Sequence, residues 1–167
     1  MGEPFVLCYG KFAGKAIEAM MFDSKGYEYL DHQAVRNGDE NQFVLRVRRL
    51  VARGETPRIV ARCQCGASAT HVYARRGSDG VGFGEFCCAT CALRPMSGYE
   101  AIELKFSSIL RFHGKIDQGC FIRELKQACG FGGSEKITAE KAHAFFYPPV
   151  VKPVPTSIRS KELELPF

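Results

Sequence analysis

The sequence predicts an α+β fold in which a small β-hairpin, closed by cysteines, packs with short α-helices. Three observations carry that expectation. Five of the eight cysteines fall in two tight clusters, Cys63-Gln64-Cys65-Gly66 and Cys87-Cys88-Ala89-Thr90-Cys91. Between them, residues 58–63, 69–75 and 81–86 have strand character, and Gly77-Ser78-Asp79-Gly80 has the composition of a hairpin turn. On both sides of this segment, apolar residues recur at helical rather than strand spacing. At 167 residues and 46% hydrophobic, the chain can bury one ordinary core, or two small ones that share a boundary.

The cysteine clusters explain why a hairpin lies at the centre. A tetrahedral ion takes two thiolates from each of two short knuckles, and the intervening strands bring the knuckles together. Cys63 and Cys65 form the first pair; Cys88 and Cys91, spaced Cys-x-x-Cys, form the second. Gly66 directly follows the first knuckle, where a residue without Cβ lets backbone amides turn toward the sulfurs. The expectation is a structural Zn2+ site with Cys63, Cys65, Cys88 and Cys91 as ligands, in a zinc-ribbon-like hairpin unit; the segment resembles a zinc ribbon. Cys87 is an alternate for Cys88, exchangeable by a small backbone rotation, and His71 is the nearby histidine that could replace a thiolate. A catalytic zinc keeps an open position and favours histidine or carboxylate ligands beside a general base, a role for which only His71 is at hand. The chain has no run of about eighteen apolar residues and no secretory pattern at its N-terminus. A cytoplasmic setting without a membrane partner is expected, and in a reducing compartment clustered cysteines bind metal more often than they pair.

The N-terminal residues carry a second signal. Residues 5–9 are an apolar run that reads as a short strand, followed by Gly10-Lys11-Phe12-Ala13-Gly14-Lys15 and by helical stretches over 16–22 and 27–35. Tyr9-Gly10-Lys11-Phe12-Ala13-Gly14-Lys15, with Gly26-Tyr27 and Tyr29-Leu30 downstream, resembles the small module at the C-terminus of exonuclease X-like proteins, also seen in short proteins of phages and mobile elements. The resemblance covers residues 7–33. The acidic catalytic domain joined to that module in the exonucleases has no counterpart among these residues, so the resemblance implies an accessory module near nucleic acid rather than nuclease activity. Lys11 and Lys15 on a glycine-rich turn suit phosphates approached through ammonium groups and exposed amides. They equally suit a tight turn with two solvated lysines.

Asn37-Gly38-Asp39-Glu40-Asn41 is a polar break that ends a first unit, residues 1–38. Beyond it, Phe43, Val44, Val47, Leu50 and Val51 recur at helical spacing, with Arg46, Arg49 and Arg53 sharing a flank. Residues 36–76 hold nine arginines against Asp39, Glu40 and Glu55, in a chain whose formal net charge is +5. The planar guanidinium fork suits phosphate oxygens and stacking on bases. Lys11, Lys15, Arg46, Arg48, Arg49, Arg53, Arg62, Arg75 and Arg76 are therefore the expected contacts to DNA or RNA; a solvated helix face is the bland reading of the same charge run. Gly80, Gly82 and Gly84 superficially resemble a nucleotide-binding fingerprint, but they lack the strand-to-helix context that such a motif needs. Pro95 is expected to stop a helical turn at the second knuckle and so to close a second unit, residues 39–96.

A mainly helical region, residues 97–147, comes next. Residues 99–112 alternate as a strand at first, with Ile102, Leu104 and Phe106 opposite Ala101, Glu103 and Lys105, and become helical or irregular near Ile109 and Leu110. Asp117 is expected to cap a helix whose inward face is Phe121, Ile122, Leu125, Ala128 and Cys129, ended by Gly130. Thr138 caps a last helix packed by Ala142, Phe145 and Phe146 and stopped at Pro148. Residues 148–167 read as an extended Pro-rich tail. Cys8, Cys120 and Cys129 are expected in the core, and neither His113 nor His143 has a partner visible in the sequence.

No P-loop, HExxH, GxSxG or paired acidic metal motif occurs in the sequence. The expectation is a non-catalytic, zinc-stabilised nucleic-acid-binding protein. The alternative is a zinc-containing interaction subunit of a larger nucleic-acid-processing or RNA-guided defence complex, burying an aromatic surface of residues 117–147 against its partners.

Overall fold

Helices predominate on either side of a three-stranded antiparallel sheet, so the α+β class is observed. The computed structural model describes residues 3–36, 41–94 and 96–149. At the N-terminus the expected strand over residues 5–9 is instead a single-bridge clasp. Val6 bridges Ala16, Ile17 N–H donates to Phe5 O at 2.9 Å, and Leu7 N–H donates to Lys15 O at 3.0 Å. The chain reverses too soon, through residues 10–14, for a longer ladder to form. Cys8 is exposed there rather than in the core.

Three helices come after the clasp: α1 (Ile17–Met20), α2 (Ser24–Ala34) and α3 (Gln42–Gly54). Asp23 caps α2 by accepting the Gly26 N–H at 2.8 Å, and Asn41 caps α3 by accepting the Val44 N–H at 2.9 Å. The apolar stripe of α3 is buried as its periodicity predicts, through Val44, Val47 and Leu50. Gly26 lets α1 and α2 meet at close range, since a Cβ there would lie 2.6 Å from Met20 O and 2.9 Å from Met20 Cβ. Helix propensity favours alanine over glycine by about 1 kcal/mol, but a backbone oxygen cannot yield as a flexible side chain would, and overpacking costs about 1–3 kcal/mol. Gly26→Ala is therefore expected to lower stability by about 1 kcal/mol or more, read as a reduced denaturation midpoint. A rise in the midpoint would mean the helices can separate freely.

The sheet has the order β2-β1-β3, from β1 (His71–Gly77), β2 (Gly80–Cys87) and β3 (Glu100–Glu103). The hairpin register pairs Gly77 with Gly80 and His71 with Cys87, with an irregularity between Val72 and Ala74. On the other edge of β1, His71 pairs with Glu103 and Ala74 with Glu100. The expected strand over 58–63 is not one: Val60 and Ala61 both donate to the Ala128 carbonyl, at 2.8 and 3.1 Å, and only Arg62 forms a bridge, to Ser68. Its amides satisfy the end of a helix, so no sheet edge is left for them.

A short helix α4 (Ala89–Ala92) follows β2, and a 3-10 helix (Phe106–Arg111) follows β3. Pro95, expected to stop α4, lies outside the described residues. Helix α5 (Lys115–Ala128) begins at Gly114 with no side-chain cap. Asp117 instead sits in its first turn and accepts the Val81 N–H at 3.2 Å, which ties α5 to β2. Thr138 does cap α6 (Ala139–Phe146), accepting the Lys141 N–H at 3.3 Å. The expected tail lies outside the described residues from residue 150 onward.

One apolar cluster runs from Leu7 to Phe146 and draws on residues of all three expected units, among them Ile17, Leu30, Leu50, Val72, Ile102, Phe121 and Ala142. Phe106 is central to it. Its ring lies 5.1 Å from that of Phe22 and 5.5 Å from that of Phe146. A second, small cluster holds Cys63, Tyr73, Cys87 and Cys88. No helix among the described residues is long and apolar enough to cross a membrane.

Candidate metal centre and cationic surface

The two cysteine knuckles meet because β1 and β2 are paired up to their open end. Cys63 N–H donates to Ala67 O at 2.9 Å and Gly66 N–H returns to Cys63 O at 2.8 Å, closing a tight turn. Gly66 takes φ 87° with nothing near its Cβ position, so it is the backbone angle, not lack of room, that calls for glycine. Across the ladder, Thr70 N–H donates to Cys87 O at 2.9 Å, which delivers Cys88 beside the first turn. Cys88 then caps α4, its Sγ accepting the Cys91 N–H at 3.5 Å.

The sulfurs of Cys63, Cys65, Cys88 and Cys91 all lie within 4.8 Å of one another, an arrangement able to hold a metal ion. Cys65 Sγ is 3.7 Å from Cys88 Sγ. Cys63 and Cys88 are buried, Cys91 is half-buried and Cys65 is exposed. Neither alternate joins them. Cys87 is buried in β2, and successive extended residues point to opposite sides of the chain, so Cys88 faces the group instead. His71 Nδ1 is engaged with Thr70 Oγ1 at 2.8 Å.

The electrostatics of the group are those of an anion site. Amides of Cys65 and Cys88 directed at Cys63 bring its thiol down to about 6. The Cys91 amide likewise lowers Cys88. Cys91 is pushed up to about 12, chiefly because its thiol serves Cys63 and then Cys88 as a hydrogen-bond donor. Burial raises Cys87. Four sulfurs this close cannot all be charged without a cation between them, and amides directed at sulfur are the usual support of a thiolate site. Tyr73 adds a brace from the side, donating its hydroxyl proton to Cys91 O at 2.9 Å.

The nine expected phosphate contacts belong to three different parts of the fold. Lys11 and Lys15 are exposed on the N-terminal turn, their ammonium groups 5.7 and 5.4 Å from the centre of the Phe12 ring. On α3, Arg48 donates to Ala34 O at 2.9 Å and Arg36 O at 2.5 Å, satisfying the end of α2. Arg53 does the same for α6, donating to Phe146 O at 2.6 Å with its guanidinium 4.6 Å above the Tyr147 ring. Arg46 donates to Glu3 O at 2.9 Å. Arg49 is exposed. Around the metal centre, Arg62, Arg75 and Arg76 are all exposed, and Arg75 lies 5.8 Å from the centre of the Tyr99 ring.

Sequence reasoning missed one polar cluster altogether. Glu18 and His143, 125 residues apart, meet at 3.2 Å beside Arg46. The one signal available was a lone glutamate inside an otherwise apolar helical stretch. No protein-family model, curated protein or solved structure matches this chain.

Proposed function

We propose that this chain is a non-catalytic, zinc-stabilised nucleic-acid-binding protein that meets DNA or RNA phosphates with arginines exposed around its cysteine-closed hairpin. Zinc is the ion that best suits the donor set. Four thiolates are soft ligands, and Zn–S bonds of about 2.3 Å in a tetrahedron place sulfurs about 3.8 Å apart, beside the 3.7 Å between Cys65 and Cys88. The observation that carries the binding reading is the state of Arg62, Arg75 and Arg76. All three are exposed, and none has a carboxylate within ion-pair distance among the described residues, whose ion pairs involve Arg46, Lys105, Arg111, Lys141 and His143. Guanidinium groups without a carboxylate partner among the described residues, on and beside the hairpin, are positioned for an external anion. The likeness of residues 7–33 to the exonuclease X-type accessory module points the same way.

The alternative, an interaction subunit, needs an apolar surface. Of the aromatic side chains of residues 117–147, Phe121 and Phe146 are buried, and Phe131, Phe145 and Tyr147 are half-buried against the core. Leu93, next to the second knuckle and 84% exposed, is the apolar side chain best placed for a partner.

Binding to single-stranded DNA, duplex DNA and RNA over a salt series separates the two. Affinity should fall linearly on a log–log salt plot, and Arg75→Ala and Arg76→Ala should each reduce the slope by about 1. Arg48→Ala should lower thermal stability and leave the slope unchanged, because its partners are backbone carbonyls of the chain itself. No binding at low salt, or slopes indifferent to Arg75 and Arg76, would rule the proposal out.

A further inference from the structure

A fully buried carboxylate stands behind a cationic cavity distinct from the cysteine group. Glu18 on α1 has no exposed surface. Its Oε2 accepts the Phe5 N–H at 3.2 Å; its Oε1 accepts from His143 Nδ1 at 3.2 Å and lies 3.9 Å from Arg46 Nη2. An interior carboxylate is costly unless paired, and an apolar side chain would pack α1 at no such cost. What Glu18 contributes is orientation, fixing an imidazole from α6 and a guanidinium from α3 side by side.

Those two groups open onto a cavity of about 370 Å³, which Arg49, Gln42 and Tyr147 also line. With Nδ1 of His143 committed to Glu18, Nε2 is the ring nitrogen left for a ligand. Arg46 is held 5.1 Å over the Phe5 ring, with Nη2 also donating to Glu3 O. Arg49 brings a second guanidinium, exposed at the rim. Donors outnumber acceptors here, and two arginines outweigh the single buried negative charge.

Such a site suits phosphate, whose oxygens match the guanidinium fork. A monoester fits better than a diester. It carries about −1.5 to −2 charge at neutral pH and three unesterified oxygens, and it ends a chain, whereas a diester needs room for a strand on both sides. The volume falls near the lower end of the ~300–1,000 Å³ common for small-ligand pockets, enough for a phosphate and the sugar that bears it.

We propose that this cavity binds a phosphate monoester, with Arg46, Arg49 and His143 as the contacting residues and Glu18 as the positioning residue. For a nucleic acid the group is the terminal phosphate of a strand, and that source alone rests on the function proposed above; free phosphate or a mononucleotide presents the same chemistry.

The test uses the full metal-loaded chain and calorimetric titration with inorganic phosphate. Oligonucleotides identical except for a 5′-phosphate, a 3′-phosphate or hydroxyls at both ends form the second arm. Saturable phosphate binding is expected, weakened about tenfold by Arg49→Ala, the loss of one charge-assisted contact. A strand phosphorylated at one end should bind about tenfold tighter than its hydroxyl-ended twin. Phosphate should shift the His143 Nε2 15N resonance in the wild type, and Glu18→Gln should both weaken phosphate binding and remove that phosphate-dependent shift, which loss of a merely structural carboxylate would leave in place. Because Glu18→Gln risks the fold, the exposed Arg49 keeps the test decisive. Phosphate affinity unmoved by Arg49→Ala, or no saturable phosphate binding with strands held equally whatever their ends, overturns the cavity and leaves the hairpin reading standing. Saturable phosphate binding without strand binding upholds the cavity, assigns it to free phosphate or a mononucleotide, and removes the nucleic-acid reading instead.

Discussion

Cys88→Ala is expected to abolish metal binding and loosen the two knuckles at the open end of the β1–β2 hairpin, while Cys87→Ala leaves the metal content unchanged. Structural zinc contributes about 10–16 kcal/mol apparent in isolated fingers, against a net stability of about 5–15 kcal/mol for a whole domain. Loss of the ion should nevertheless stay local. Cys63, Cys87 and Cys88 lie in the small cluster with Tyr73, apart from the main core of the helices. Elemental analysis should find a single ion per chain in the wild type and in Cys87→Ala, and none in Cys88→Ala. Hydrogen exchange should show lost protection at the knuckles and in α4, with α3, α5 and the core-packed part of β1 and β2 still protected. Acid should mimic the substitution. Without the ion Cys63 is already depressed to about 6, so in the metal-free chain its thiolate contribution is complete above the ordinary thiol value of about 8.5 and is lost as pH falls through 6. A bound ion favours the thiolate further, so metal release should come below that pH. Metal retained in Cys88→Ala, or lost in Cys87→Ala, would refute the ligand set.

Phe106→Ala should cost about 3–5 kcal/mol, the usual penalty for removing a large aromatic from a tight core. Phe106 has no exposed surface and joins elements remote in sequence: its ring meets those of Phe22 and Phe146. Its Cβ would lie 3.2 Å from a Cβ placed on Gly54, so α3 closes the site from the third side. Chemical denaturation should show a lowered midpoint at unchanged m. Leu93→Ala, altering a side chain 84% exposed, should leave the midpoint within about 0.5 kcal/mol of wild type. Equal effects from the two would mean that Phe106 is not where the core converges.

Both predictions show which features were legible. The Cys-x-x-Cys spacing and the stripe Val44, Val47, Leu50 could be read directly, because a knuckle and an amphipathic helix are set by residues within a few positions of one another. Thr138 became a cap for the same local reason, whereas Asn41, read only as the end of a polar break, also caps α3. Residues 58–63 misled because their composition favours a strand, yet their amides found the Ala128 carbonyl at the end of a helix far along the chain. Asp117 misled in a related way. Its carboxylate is used across the fold by Val81, and the helix starts earlier, at Gly114.

Charge was the least legible property. Arg46, Arg48, Arg49 and Arg53 read alike on a helical flank, and only packing separated them: Arg48 and Arg53 close the ends of other helices, Arg46 serves a buried glutamate, and Arg49 stays exposed. A charge declares its sign in the sequence but not its partner, which depends on elements brought together from a distance.

By itself, then, the order of residues determined the knuckles, the helices that carry their own periodicity and caps, and the α+β class. Only the folded chain decided that Cys88 rather than Cys87 faces the other sulfurs, that Glu18 meets His143, and which arginines lack a carboxylate partner among the described residues. Local spacing governs what a turn or a helix face can hold, whereas the direction of a side chain and the company of a buried charge depend on contacts between segments that no short window of sequence contains.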